Sequence, residues 1–194
     1  MAKLAIFVDG GYLSYLAEHH FRTWVDFGKL SNQVRNTIGE RTEEPLDLLR
    51  TYFYDCLPYQ SSTPTEDEER RFSSKKRFFY ALQRLPRYKV REGRLMHRGI
   101  DAQGKPIFQQ KRVDLMVGLD IASLAAKRQI NHAAVISGDG DLMPAVEAAQ
   151  HEGVLVWLVH GPQLTYAEEL WDLADDRLAI DTDFMKNVEK SATT

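Results

Sequence analysis

The sequence predicts an α/β protein in three layers, with a mainly parallel central sheet and helices on both faces. Three observations carry this. Short, nearly continuous apolar runs recur at residues 3–8, 133–136 and 154–159, as strands buried on both faces require. Stretches with helical apolar spacing lie between strand signals, and such alternation favours right-handed crossovers in one parallel sheet. At 194 residues, 43% hydrophobic and 27% charged, the chain is long enough for one core and short for two. A single domain over residues 1–185 is expected, carrying a basic helix and hairpin insert around 66–112, with a flexible tail over 186–194.

In chain order, the run at 3–8 ends in Asp9-Gly10-Gly11, as a buried strand would before a turn. Residues 12–20 read as a helix, and 22–45, which lack a sustained period, as a variable connection with some helix. Residues 48–57 are rich in aromatics and closed by Pro58, which suits a second strand; 61–65 read as a loop. Over 66–85, Phe72, Phe78, Phe79, Leu82 and Leu85 recur among charges at helical spacing until Pro86. Residues 88–97 read as a third strand, turned back by 101–104 into 106–110 as a hairpin arm. A helix over 113–128 follows, with Leu115, Leu119, Ala122 and Ala126 on one apolar stripe. The strand at 133–136 ends in Ser137-Gly138-Asp139-Gly140-Asp141, repeating the logic of the first. A helix with Val146 and Ala149 runs to Gly153, then come a strand at 154–159, a helix at 163–174 and a short strand at 178–180.

Composition removes several function classes. The first ten residues hold one lysine and no long apolar stretch, and no apolar run reaches membrane-spanning length; a cytoplasmic protein with no membrane partner is expected. The single cysteine, Cys56, excludes an intrachain disulfide and a cysteine-based zinc site, and reads as a small core residue. The formal net charge of −3 hides a division: between Arg70 and Arg112 stand 14 Lys and Arg against the two acids Glu92 and Asp101, so this segment carries +12 and the remainder −15. Such a segment suits a polyanion, because Lys and Arg contacts to phosphates supply most sequence-independent affinity for nucleic acid; it equally suits a solvated basic surface.

Ligands of open parallel sheets bind outside the carboxyl ends of the strands. Asp9 and Asp139 stand there, with Gly10, Gly11, Gly138 and Gly140 allowing close approach. Asp114 opens the long helix, as a cap or as a group leaning into the same cleft, and Asp141 follows Asp139 by two. Several carboxylates together repel one another, and hard divalent cations relieve that repulsion. Oxygen-only ligands favour Mg²⁺ or Mn²⁺ over zinc, and such ions support phosphodiester hydrolysis. Asp120 is a weaker candidate ligand, because it sits about 240° around the helix from Asp114. No Gly-x-Gly-x-x-Gly or Walker lysine motif is present. The Asp139-Gly-Asp141 phrase fails as a calcium loop, with Pro144 and Gln150 where Gly and Glu are needed, and Gly11 occupies the place of the second acid in an aspartyl-nucleophile phosphatase.

Three ordered phrases, Ile6-Phe-Val-Asp9-Gly-Gly-Tyr12, Gln110-Lys-Arg-Val-Asp114 with Leu119-Asp120, and Val135-Ile-Ser-Gly-Asp139-Gly-Asp141-Leu142, span nearly the whole chain. Together they resemble the NYN domains, specifically the LabA-like branch of the PIN-like nuclease superfamily. The resemblance implies a Rossmann-like (PIN-like) three-layer sandwich and metal-dependent hydrolysis of RNA by water, leaving a 5′-phosphate. It assigns Asp9, Asp114, Asp139 and Asp141 as metal-site acids, Ser137 as the residue orienting the last loop and Lys111 as a phosphate contact. Many relatives have Asn where this chain has Tyr12. Tyr12, Arg91, Arg94, Arg98 and Arg112 join Lys111 and Ser137 as substrate-binding candidates, and Phe79, Tyr80 and Tyr88 are available for base stacking. The expected partner is RNA, with a homo-oligomer or regulatory partner also considered; Trp157, Trp171 and the helix around 166–173 offer an apolar dimer face. Two other functions stay open: an RNA-binding or regulatory module with little turnover, and a toxin or defence effector released by a partner.

Overall fold

A computed structural model describes residues 1–101, 103 and 106–191, and of residues 97, 100, 106 and 109–111 the backbone alone; the predicted turn at 101–104 falls partly outside them. The strands are β1 (Ala2–Asp9), β2 (Leu46–Cys56), β3 (Tyr88–Ile100), β4 (Pro106–Lys111), β5 (His132–Ile136), β6 (Leu155–His160) and β7 (Asp176–Ala179). The helices are α1 (Gly10–Tyr15), which continues into a π-helical turn Leu16–Phe21, then α2 (Phe27–Arg41), α3 (Glu66–Gln83), α4 (Val113–Ala126), α5 (Met143–His151), α6 (Glu168–Leu173) and α7 (Thr182–Val188). The sheet runs β4-β3-β2-β1-β5-β6-β7. Six strands are parallel, and β4 alone returns antiparallel to β3. This is the three-layer α/β sandwich the sequence predicts.

Alternation along β1 divides the core. Leu4, Ile6 and Val8 face a layer built by α1, α2, α3 and α7, where Leu30, Phe79 and Val188 are buried. Ala5 and Phe7 face α4, α5 and α6, with Tyr54, Ile121 and Val146. Helix α2 fills most of the stretch that shows no sustained period. Its signals are the cap Asp26, which accepts from the Lys29 N–H, and the stripe Leu30, Val34, Ile38. Helix α3 opens with a capping box, Thr65 with Glu68, and four acids in its first turn.

Four expectations are corrected. The buried face of α4 is Val113, Val117, Ile121, Leu124 and Ala125, whereas Leu115 and Leu119 are 65% and 60% exposed; the helix is apolar on both sides, so spacing alone selects the wrong stripe. Residues 163–167 form a loop and α6 spans only Glu168–Leu173. The tail expected from 186 is packed as far as Lys190: Val188 is fully buried, Glu189 bridges Val25, and the Lys190 N–H donates to the Trp24 carbonyl. Trp157 belongs to the core, its indole N–H donating to His132, and so offers no dimer face. Among the described residues no helix is long and apolar enough to cross a membrane.

Candidate active site

The strand order reverses between β1 and β5: β1 continues to β2 on one side, and β5 to β6 on the other. At such a switch point the loops leaving the two carboxyl ends diverge and open a crevice. Asp9 ends β1 and Ser137-Gly138-Asp139 leave β5, so both lie at this crevice. Asp9 caps α1, its Oδ1 accepting from the Tyr12 N–H at 3.0 Å. Its Oδ2 accepts from the Ser137 hydroxyl at 3.3 Å, and the Ser137 oxygen accepts from the Asp139 N–H at 3.2 Å. One buried hydroxyl thus ties the two strand ends together. Asp139 accepts from the Asp141 N–H at 2.9 Å, starting the 3-10 turn Gly140–Leu142 that leads into α5.

Asp114 reaches the same edge from the first turn of α4, which Arg112 enters with φ 76. Burial raises the Asp114 pKa, and the charges of Asp139 and Asp141 raise it further. Burial likewise raises that of Asp9 against hydrogen bonds from Tyr12 and Ser137, with the Asp114 charge adding to the rise. Among the four predicted acids, Asp114 is therefore the one that feels or acts on each of the other three. Their donors are carboxylate oxygens alone, and mutual repulsion is what a hard divalent cation relieves, so the residue chemistry fits one. Among the described residues no three His, Cys, Asp or Glu side chains stand close enough together to hold a metal ion as they are. Asp114 and Asp141 are exposed.

Tyr12 acts as a clamp. Its hydroxyl accepts from the Gly161 N–H at 2.8 Å and pairs with the Thr165 hydroxyl at 3.1 Å, binding the loop after β6 to α1 and leaving the group committed within the protein. The clamp closes over Gly138, where a Cβ would stand 2.1 Å from the Thr165 carbonyl oxygen and 2.8 Å from the Tyr12 ring; that glycine serves loop packing.

Asp120 does not join the acids. It accepts from the Tyr54 hydroxyl at 2.9 Å and from Arg91 Nε at 2.8 Å, with a second contact to the same guanidinium. Six residues of helix turn it toward β2 and β3, so neither a ligand role for Asp120 nor a free substrate-binding role for Arg91 is supported. Arg94 and Arg98 are exposed on the hairpin arm, beyond Gly93, the last β3 residue paired with β2. Arg112 is exposed at the arm's return, and the Lys111 side chain lies outside the described residues.

Sequence reasoning missed a fifth acid. Asp55, 6% exposed near the end of β2, holds its Oδ2 at 2.5 Å from Lys75 Nζ and only 2.9 Å from where a Cβ on Gly10 would stand. The available signal was an acid at the carboxyl end of an apolar strand, the pattern that marks Asp9. Its cation comes from α3, so Asp55 also fixes the basic helix beside the crevice.

Comparison with known proteins supports the fold and identifies the family. A protein of unknown function from Vibrio parahaemolyticus superposes with a TM-score of 0.61 at 21% identity, covering 94% of each chain, which supports the fold. MurG from Acinetobacter baumannii gives a TM-score of 0.41 at 11% identity over 92% of this chain and 45% of its own, a likeness too slight to carry an argument. No curated protein matches the chain. The NYN domain model matches residues 3–181, a span from the first strand through the last. The chain therefore belongs to the NYN domain family, within the PIN-like nuclease superfamily.

Proposed function

We propose that this protein is a metal-dependent ribonuclease of the LabA-like branch, acting in the cytoplasm on RNA. The observation that supports the reading is the placement of Asp9 and Asp139 at the ends of neighbouring strands at the switch point, tied through Ser137, with Asp114 close enough to feel the charges of Asp139 and Asp141. Mg²⁺ or Mn²⁺ held by these acids would supply Lewis-acid stabilisation of the phosphodiester and a more acidic attacking water. The protein's own contribution is positional. Ser137 fixes the orientation of Asp9 and the path to Asp139, and the Tyr12 clamp holds the wall of the crevice. Both lower the cost of arranging the acids around a phosphate. The substrate side is the basic segment: of the three aromatics considered for stacking, Phe79 and Tyr88 are core residues, and Tyr80 is 62% exposed with the Arg84 guanidinium 5.8 Å from its ring centre.

A second reading, an RNA-binding or regulatory module with little turnover or an effector that a partner activates, draws on the spacing of the acids, no three of which converge as they stand. One experiment separates the two. With Mn²⁺, a single-stranded RNA is expected to yield products bearing 5′-phosphates, identified by their acceptance by a 5′-phosphate-dependent exonuclease. Salt-sensitive binding without such products would favour the module.

A further inference from the structure

We propose that the hairpin arm of β3 and β4 holds the single-stranded RNA whose phosphate reaches the acids, with the Phe108 ring stacked on one of its unpaired bases. This rests on the reading of the neighbouring acids as a site that acts on RNA. The pleat sets the ring on the side of the sheet that the acids occupy. Asp9 alternates with Ala5 and Phe7, which face the layer of α4. Leu95 of β3 packs into that same layer opposite Gln110 of β4, and Phe108 lies two residues from Gln110, so its ring shares the face. The arm then returns to Arg112, two residues before Asp114. Strand β3 stands two strands from β1, about 10 Å at the ordinary spacing. Residue 97, which pairs with Phe108, lies four residues, or about 13 Å, past the last β3 pair with β2. A base on the ring therefore belongs to a different nucleotide from the one whose phosphate meets the acids.

Charge selects a polyanion for this arm. From Arg94 to Arg112 the sequence holds five Lys and Arg against one acid, Asp101, and the Asp101 carboxylate accepts from the Gln103 N–H at the far end of the arm. Arg94, Arg98 and Arg112 are exposed, and among the described residues no ion pair engages Arg94 or Arg112. Cations without acids of their own attract phosphates. The ring adds a contact that a phosphate cannot use. Phe108 is 40% exposed, and Tyr59, on the chain leaving the carboxyl end of β2, meets it with 5.2 Å between ring centres at an angle of 39°. One neighbour steadies the ring while much of its surface stays open. Stacking on an aromatic face accepts any base, but it requires a base free of its partner, which a duplex does not supply. An apolar protein segment would cover the ring and leave the arginines unanswered; a single strand answers both.

The test uses the full chain and a fluorescein-labelled 12-nucleotide single-stranded RNA. Anisotropy in EDTA gives affinity, and cleavage with Mn²⁺ gives KM. Phe108→Leu, which keeps an apolar side chain on the arm and removes the ring, is expected to weaken binding about tenfold, the loss of roughly one stacked base, with the cleavage defect appearing in KM. Phe108→Trp should bind at least as tightly as the wild type. Arg112→Gln is expected to reduce the slope of log K against log salt by about 0.7. Either an affinity and KM indifferent to Phe108→Leu or an unchanged slope in Arg112→Gln would overturn the inference, and would leave the nuclease reading standing where cleavage persists. An equal loss in Phe108→Leu and Phe108→Trp would trace the effect to packing of the arm and overturn the stacking. A 12-base-pair duplex bound as tightly and with the same dependence on Phe108 would overturn the single-strand assignment. Binding that depends on Phe108 without any cleavage would keep the inference and remove the nuclease reading; neither binding nor cleavage by the wild type would remove both.

Discussion

Ser137 is 1% exposed, and its hydroxyl both donates to Asp9 and accepts from the Asp139 N–H; the two strand ends are joined through one oxygen atom. Around that joint the protein stores electrostatic cost. The Asp9 pKa is raised by burial first and by Asp114 in addition, so the folded state holds this proton more tightly than the unfolded chain does. The stability linked to the proton is complete below about pH 3.9, the ordinary value for Asp, and is lost as pH rises through the raised folded value. Asp9→Asn keeps an acceptor for the Tyr12 N–H and removes the charge. Without divalent cations at pH 7 it is therefore expected to melt about 1–3 °C above the wild type, an advantage that shrinks to nothing toward pH 3.5. Saturating Mn²⁺ should reverse the order, because a ligand at 100 times its Kd stabilises the wild type by about 2.7 kcal/mol. A scanning calorimetry series across pH, with and without Mn²⁺, checks both signs; a variant less stable than the wild type in EDTA at pH 7 would contradict the account of Asp9.

At the scale of elements, α4 separates what a sequence displays from what packing decides. Its two apolar stripes are alike in one dimension, yet Ile121 is fully buried and Leu119 is 60% exposed. Ile121→Ala is expected to cost about 2–5 kcal/mol through lost burial and the cavity left, and Leu119→Gln to stay within about 0.5 kcal/mol. Urea titration of both variants tests the assignment, and equal losses would refute it. Strands β1, β5 and β6 were legible because burial on both faces leaves continuous apolar runs, and Asp9 and Asp139 because each ends such a run beside glycine. Helix α2 was not, since its single stripe Leu30, Val34, Ile38 is diluted by polar neighbours. The pairing of Asp120 with Arg91 and of Asp55 with Lys75 joins residues 29 and 20 positions apart, and no local period encodes such contacts. Tyr12 was visible as a departure from the family's motif, but its role as a clamp depends on Gly161 and Thr165, far along the chain.

Across the whole molecule, charge is partitioned between an acidic body and a basic segment over α3 and the hairpin arm. The arm leaves β3 past the carboxyl end of β2 and returns along β4 to Arg112, two residues before Asp114. Affinity for a single-stranded polyanion should then fall with salt at a slope of about −0.7 per phosphate neutralised. Replacing both Lys76 and Arg77 by Gln is expected to reduce the slope of log K against log salt by about 1.4, measured by anisotropy between 50 and 200 mM salt, a range taken from the ordinary behaviour of such complexes; an unchanged slope would place these two residues off the RNA path. The acids themselves are tested most directly by incubating end-labelled single-stranded RNA with wild type and Asp139→Asn, each with and without Mn²⁺. Cleavage by the wild type only when Mn²⁺ is present, with none by a normally folded Asp139→Asn, is the predicted result. Equal cleavage by the two proteins, or cleavage indifferent to the metal, would contradict a metal-dependent site at the switch point.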